Sequence, residues 1–141
     1  MDSILKDTTI AIEALKAADN ETLTGTGVDM QGYDAVAFVV GALQAEALNF
    51  TIKAQQDSDP AFGTAADLLG TSVAFATGIA TDGLTTLEIV QPNERYVRPI
   101  IAVPNANAAT PTFCISIRLK AKDVPKANDG ELHLSPAEGT A

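Results

Sequence analysis

The chain has 141 residues, 46% of them hydrophobic, the size and composition of one globular domain that can bury a core without metal or disulfide support. Its 9 Lys and Arg stand against 18 Asp and Glu, and no basic cluster offsets the net charge of −9, so a nucleic-acid backbone is excluded as partner. The single Cys114 excludes an internal disulfide and a cysteine-based zinc site, and no uncharged apolar run approaches the ~18 residues of a membrane span.

Residues 1–7 lack the basic flank and apolar core of a secretory signal, so synthesis in a cytoplasm is expected, with these residues as a flexible arm. From Thr8 to Lys16, Ile10, Ile12 and Ala14 alternate with Thr9, Ala11 and Glu13, the period of a half-buried strand. The Ala and Leu of residues 13–18 would suit a helix, but the β-branched residues favour the strand. Gly25-Thr26-Gly27 reads as a loop, and the unbroken apolar run Ala35 to Val40 as a strand covered on both faces. Leu48, Phe50, Ile52 and Ala54 then alternate with polar residues in an amphipathic strand that ends at the turn cluster 56–60.

Residues 65–69 could make one helical turn before Gly70. Val73 to Ala76 and Thr85 to Val90 read as strands, joined by a small-residue loop over 77–83. Gln91 to Arg95 forms a turn, and Tyr96 to Val103 the next strand, whose Pro99 implies a sheet edge or a bulge. In the last strand Phe113, Ile115, Ile117 and Leu119 face one way and Cys114, Ser116, Arg118 and Lys120 the other. Residues 123–141, with two Pro and two Gly, read as a flexible tail. Seven or so short strands between turn signals predict an all-β domain over residues 8–122, an antiparallel sandwich, jelly-roll-like, or a small barrel.

Motifs for catalysis are scarce. Asp57-Ser58-Asp59 opens like a calcium loop, but Phe62 stands where that loop needs Gly, so a turn is expected and no metal. His133 falls in the tail, and Cys114 has no neighbouring base, so it reads as a small packed residue despite facing away from Phe113. Glu13, Glu21, Glu46 and Glu88 lie in separate segments, with nothing in their spacing to pair them. No cofactor motif is present and no enzymatic activity is expected. Arg95, Tyr96 and Arg98 are residue types that anchor interfaces, or else the arginines pair within the chain, with Glu88 or Glu94.

Three segments carry a resemblance: Val28-Asp29-Met30-Gln31-Gly32-Tyr33-Asp34-Ala35-Val36, Lys53-Ala54-Gln55-Gln56-Asp57, and Glu94-Arg95-Tyr96-Val97-Arg98-Pro99. In order and spacing they resemble a family of small proteins from tailed bacteriophages and prophages, over roughly residues 28 to 118. Members of that family are commonly encoded near the major capsid protein. The resemblance implies a virion structural protein made in the host cytoplasm: a head decoration, or cement, protein on the outer surface of the icosahedral capsid. Its partner would be the major capsid protein, and its natural assembly a homotrimer at threefold positions. The expected interface residues are Tyr33, Glu94, Arg95, Tyr96 and Arg98. The rival readings are a tail or head-to-tail connector component and a carbohydrate-binding sandwich module. With no Trp and two Tyr, the chain has few aromatics for a sugar platform.

Overall fold

The structure, a computed structural model, describes residues 7–15, 22–43, 50–74, 82–102 and 113–120. The expected tail, 123–141, and the expected arm apart from Asp7 lie outside them, as do His133, Leu48, Glu21 and Glu46. The strands are β1 (Thr9–Leu15), β2 (Thr22–Thr24), β3 (Val28–Asp29), β4 (Ala35–Leu43), β5 (Thr51–Asp57), β6 (Ala66–Asp67), β7 (Val73–Ala74), β8 (Asp82–Val90), β9 (Tyr96–Ala102) and β10 (Phe113–Leu119).

Every pairing among them is antiparallel. Sheet A has the order β1-β10-β4-β8; sheet B has β2-β9-β5-β6, with β3 also on β9 and β7 also on β5. Because β2 and β3 follow one another along β9, and β6 and β7 along β5, each pair acts as one interrupted strand. Two four-stranded sheets then remain, in the strand order of a jelly roll. Of the architectures expected, the sandwich is the one found.

The core lies between the sheets. Val36, Phe38 and Val40 of β4 and Leu87 and Ile89 of β8 meet Phe50, Ile52 and Ala54 at β5 and Val97 and Ile101 of β9. Full burial of each large apolar side chain stabilises by about 1.5–3 kcal/mol. The alternation over residues 50–54 points inward as its period requires, and β4 is covered on both faces because Ala35 and Ala37, on its other side, are small enough to lie beneath their neighbours.

Three local readings are resolved by the strand pairing. Residues 66–67 form β6, paired with Gln55 and Gln56, in place of a helical turn, because β5 presents an open edge there. Pro99 is not at a sheet edge, since β9 is central, flanked by β5 and by β2 with β3; it stands instead at a bulge, where three residues between Thr24 and Val28 lie opposite the two between Val97 and Ile100. Its carbonyl accepts from Gly25 N (2.9 Å) in the break between β2 and β3. Since N–H and C=O of a strand residue point the same way, the donor that Pro lacks would face that break, where no ladder partner is lost.

The third is the facing of β1 and β10, where the polar set and not the apolar one turns toward the core. Cys114 and Ser116 are wholly buried between the sheets, while Phe113, Ile115 and Ile117 lie on the outside and are only half-buried. On β1, Ile10 and Ile12 are exposed and Glu13 is buried. The cause lies in β4: Cys114 pairs with Val40, Ser116 with Phe38 and Arg118 with Val36, so the register sets these side chains on the core face of the sheet.

Candidate interaction surface

The three segments that carry the family resemblance fold into one connected patch at one end of the sandwich. Asp29, on β3, receives a two-pronged contact from Arg95, with Nε to Oδ1 at 2.9 Å and NH2 to Oδ2 at 2.6 Å. Met30 N donates to Arg95 O at 2.8 Å, fastening the same two segments through the backbone. Arg98 donates to Gln55 Oε1 from Nε (3.0 Å) and NH2 (2.9 Å), and its guanidinium lies 4.5 Å from the ring of Phe62. Glu94 N reaches Gln56 Oε1 at 3.4 Å. Both arginines are therefore paired within the chain, with Asp29 and Gln55 and not with Glu88 or Glu94.

Of the expected interface residues, Tyr33, Glu94 and Arg95 line a shallow depression of about 610 Å³ between the turns 30–34 and 91–95. Tyr96 is joined to it through Arg95, whose guanidinium is 5.2 Å from the Tyr96 ring, whereas Arg98 is not among the lining residues and turns to Gln55 and Phe62. Arg118 is 4.6 Å from the Tyr33 ring and donates from NH1 to Asp29 O (2.9 Å), closing the patch from the sheet A side. The Tyr33 hydroxyl bonds Thr9 Oγ1. The Arg95 guanidinium, donating to the carboxylate, is the main cause that holds Asp29 below the usual carboxylate range. Reciprocally, Asp29 raises Arg95.

The outer face of sheet B continues as a polar network. Lys53 Nζ bonds Asp67 Oδ2 at 2.6 Å and Gln55 Nε2 bonds Asp67 Oδ1 at 2.8 Å; the contact with Lys53 is the chief reason that the Asp67 carboxyl is lowered. Asp57, of the calcium-like sequence, is buried and accepts from Asp59 N (3.0 Å) and Thr64 N (2.8 Å). These N–H groups, Asp59 first, pull its pKa down, and the carboxylate acts as the clasp of the β5–β6 loop.

Between the sheets, Glu13 is the extra residue of a β-bulge, at the register shift between Ile12 and Ala14. The bulge turns its carboxylate inward, where Oε2 accepts from Gly27 N (2.7 Å) and Oε1 from Ser116 Oγ (2.6 Å). Thr26 N also donates to Glu13 O at 3.1 Å. Sheet A is thus tied to the β2–β3 turn of sheet B. Burial, with the nearby Glu13 charge second, pushes the Cys114 thiol up to about 12, so it is a packed and unreactive group.

The outer face of sheet A is different in kind. Ile10 and Ile12 of β1 stand beside Ile117 and Ile115 of β10, which in turn border Ala37 and Val39 of β4. Leu84 and Val90 of β8 extend the surface at 64% and 56% exposure, and the Phe113 ring lies against Gly41, where a Cβ would fall 2.3 Å from a ring carbon. Among the described side chains on the strands of this face, only Thr86 and Glu88 are polar and only Glu88 is charged. The sequence reading missed this surface, together with Asp29, Gln55 and Phe62 as the partners of the arginines.

No protein-family model and no curated protein matches the chain. Among solved structures it is similar to PBSX exported protein XepA, at 18% identity and a TM-score of 0.56, over 92% of this chain and 43% of that one. A CBM4 structure aligns with 83% of this chain and 70% of its own at 12% identity, with a TM-score of 0.42. The chain spans less than half of the XepA chain, and what it shares with XepA is the fold.

Proposed function

We propose that this protein is a structural component of a tailed-phage virion, a head decoration protein that binds the outer surface of the icosahedral capsid as a trimer and stabilises it. The observation that carries the reading is the connected patch. The three segments that resemble the phage family, far apart in sequence, are joined by the Asp29–Arg95, Gln56–Glu94 and Gln55–Arg98 contacts into one unit. The fold shared with PBSX exported protein XepA, a β-sandwich with no catalytic group called for, is compatible with it. A decoration protein stabilises a shell by binding the assembled state in preference to the dissociated one, which takes contact surface and no catalytic group. A net charge of −9 is repelled by packaged DNA, which favours the outside of the head over its lumen.

The test is to mix purified protein with DNA-filled heads that lack it, pellet the heads and count bound copies. About one copy per major capsid subunit, with better survival of heated heads, is the expected result for threefold sets. Copies confined to one vertex would replace this reading with a connector or tail component, and no binding would overturn it.

A further inference from the structure

We propose that the free edge of β8 is a docking site for the chain's own C-terminal segment, with residues 131–135 adding a fifth strand to sheet A. β8 is the last strand of that sheet, and no described strand lies on its far side. It pairs with β4 over all nine of its residues without a register shift, and it holds no Pro or Lys. Bulges, Pro and Lys are devices by which a sheet keeps an edge from pairing, and an edge without them takes up an extended segment through its backbone groups.

Where the chain leaves the sheet selects the occupant. β10 ends at Leu119, which pairs with Ala35, and Ala35 pairs with Val90. The C-terminal residues therefore set out from the Val90 end of β8, the end at which a strand antiparallel to β8 must begin. Lys120, at a φ of 55°, turns the backbone directly after β10. The new position lies three strand spacings from β10, about 14 Å, and residues 120–130 reach up to about 36 Å when extended. Segments 16–21, 44–49, 75–81 and 103–112 are each tied to strands at both ends, and residues 1–6 lead into β1 at the opposite edge.

The side chains pick out one register. Glu131-Leu132-His133-Leu134-Ser135 alternates as a strand does, between Gly130 and Pro136. With His133 opposite Glu88, Leu132 and Leu134 stand beside Ile89 and Leu87 on the core face, and Ser135 stands beside Thr86 on the outer face. Ile89 and Leu87 belong to the core between the sheets, so the two leucines extend it by one strand. A slip of one residue turns the leucines outward. A slip of two either sets Glu131 directly against Glu88, a destabilising pair of like charges, or carries Leu132 past the end of β8.

The inference goes beyond capsid binding, because it is read on the purified protein alone. In the full chain, Thr86→Cys with Ser135→Cys places thiols on opposed residues, whose Cα atoms in an antiparallel pair are about 4.5–5.5 Å apart, within the range of a disulfide. In dilute protein under oxidised glutathione this pair should close into an intramolecular disulfide several-fold faster than Thr86→Cys with Glu131→Cys, while Cys114 stays buried. As a second readout, Leu132→Asp with Leu134→Asp should leave the chain folded and make the β8 amides exchange hydrogen several-fold faster. Equal rates for the two cysteine pairs would mean a segment without a register and overturn the proposal. So would disulfides that form only between copies, which would give the edge to a neighbour's segment, and so would β8 amides that exchange alike in the wild type and the leucine variant.

Discussion

The two outer faces of this sandwich are built by opposite rules. On sheet B, Lys53, Asp67, Gln55 and Arg98 satisfy one another across three strands, and the edge is broken into β2 with β3 on one side and β6 with β7 on the other. Short, interrupted edges are how a sheet avoids pairing with another chain. On sheet A the edges β1 and β8 run seven and nine residues, and Ile12, Leu84 and Val90 stand exposed on its face. Sheet B is finished toward water, whereas sheet A keeps long edges and an apolar outer face. If that contrast is right, changes to the inward polar groups of sheet A should damage the fold most, and changes to its outward apolar groups least.

The largest loss should come from Glu13→Ala. Removing this carboxylate leaves Gly27 N and Ser116 Oγ without their acceptor inside the protein, and it unties the bulge from the β2–β3 turn. Orphaned buried donors cost about 1–3 kcal/mol each, so urea unfolding should show a loss of about 3 kcal/mol. A loss within experimental error would mean that water reaches this site and that sheet A is not inverted at the bulge.

Much of the fold was legible in the residues. The period over 50–54, the apolar run 35–40 and the turn at 91–95 each stand where the sequence predicts, since period and turn chemistry are local properties. The side on which an alternating strand faces the core is not local. Phe113, Ile115 and Ile117 alternate cleanly, but the pairing of Cys114 with Val40 and Ser116 with Phe38 decides that they face outward. Alternation alone does not say which set faces the core, least of all where the outside is itself apolar. Pro99 shows the same limit, because the break between β2 and β3 that accommodates it lies some seventy residues earlier in the chain. At the candidate site, Arg95 and Arg98 were legible as residue types. Their partners Asp29 and Gln55 were not, because those contacts span 66 and 43 residues.

Alkaline pH probes the same inner face of sheet A. The folded Cys114 thiol titrates at about 12 against a reference value of 9.0, so above about pH 9 the unfolded chain loses this proton while the folded one keeps it. Stability contributed by Cys114 is therefore fully present below the reference value and falls as pH rises toward the folded one. Between about pH 9 and about pH 10.5 the loss amounts to about 2 kcal/mol. Cys114→Ala should remove that slope, at the cost of a small cavity. An equal slope in the variant would place its origin elsewhere.

On the outer face of sheet B the effects should be smaller. Arg98→Ala gives up two hydrogen bonds to Gln55 and the contact with Phe62, worth about 1–2 kcal/mol together. Arg98→Lys keeps the charge but not the fork, and should fall between the two. Arg95→Ala should cost less than Arg98→Ala, because the Asp29 pair stands half in solvent. The reverse order of the two arginines in thermal midpoint would show that the depression, and not the polar network, is what holds this end together.

The smallest effect is the most informative about sheet A. Ile12→Thr and Leu84→Thr replace two exposed apolar side chains and keep a residue suited to strands. In dilute protein each should change unfolding free energy by less than about 0.5 kcal/mol, as surface substitutions do. A larger loss would mean that these side chains stabilise the monomer, and that the apolar face belongs to the packing of the fold.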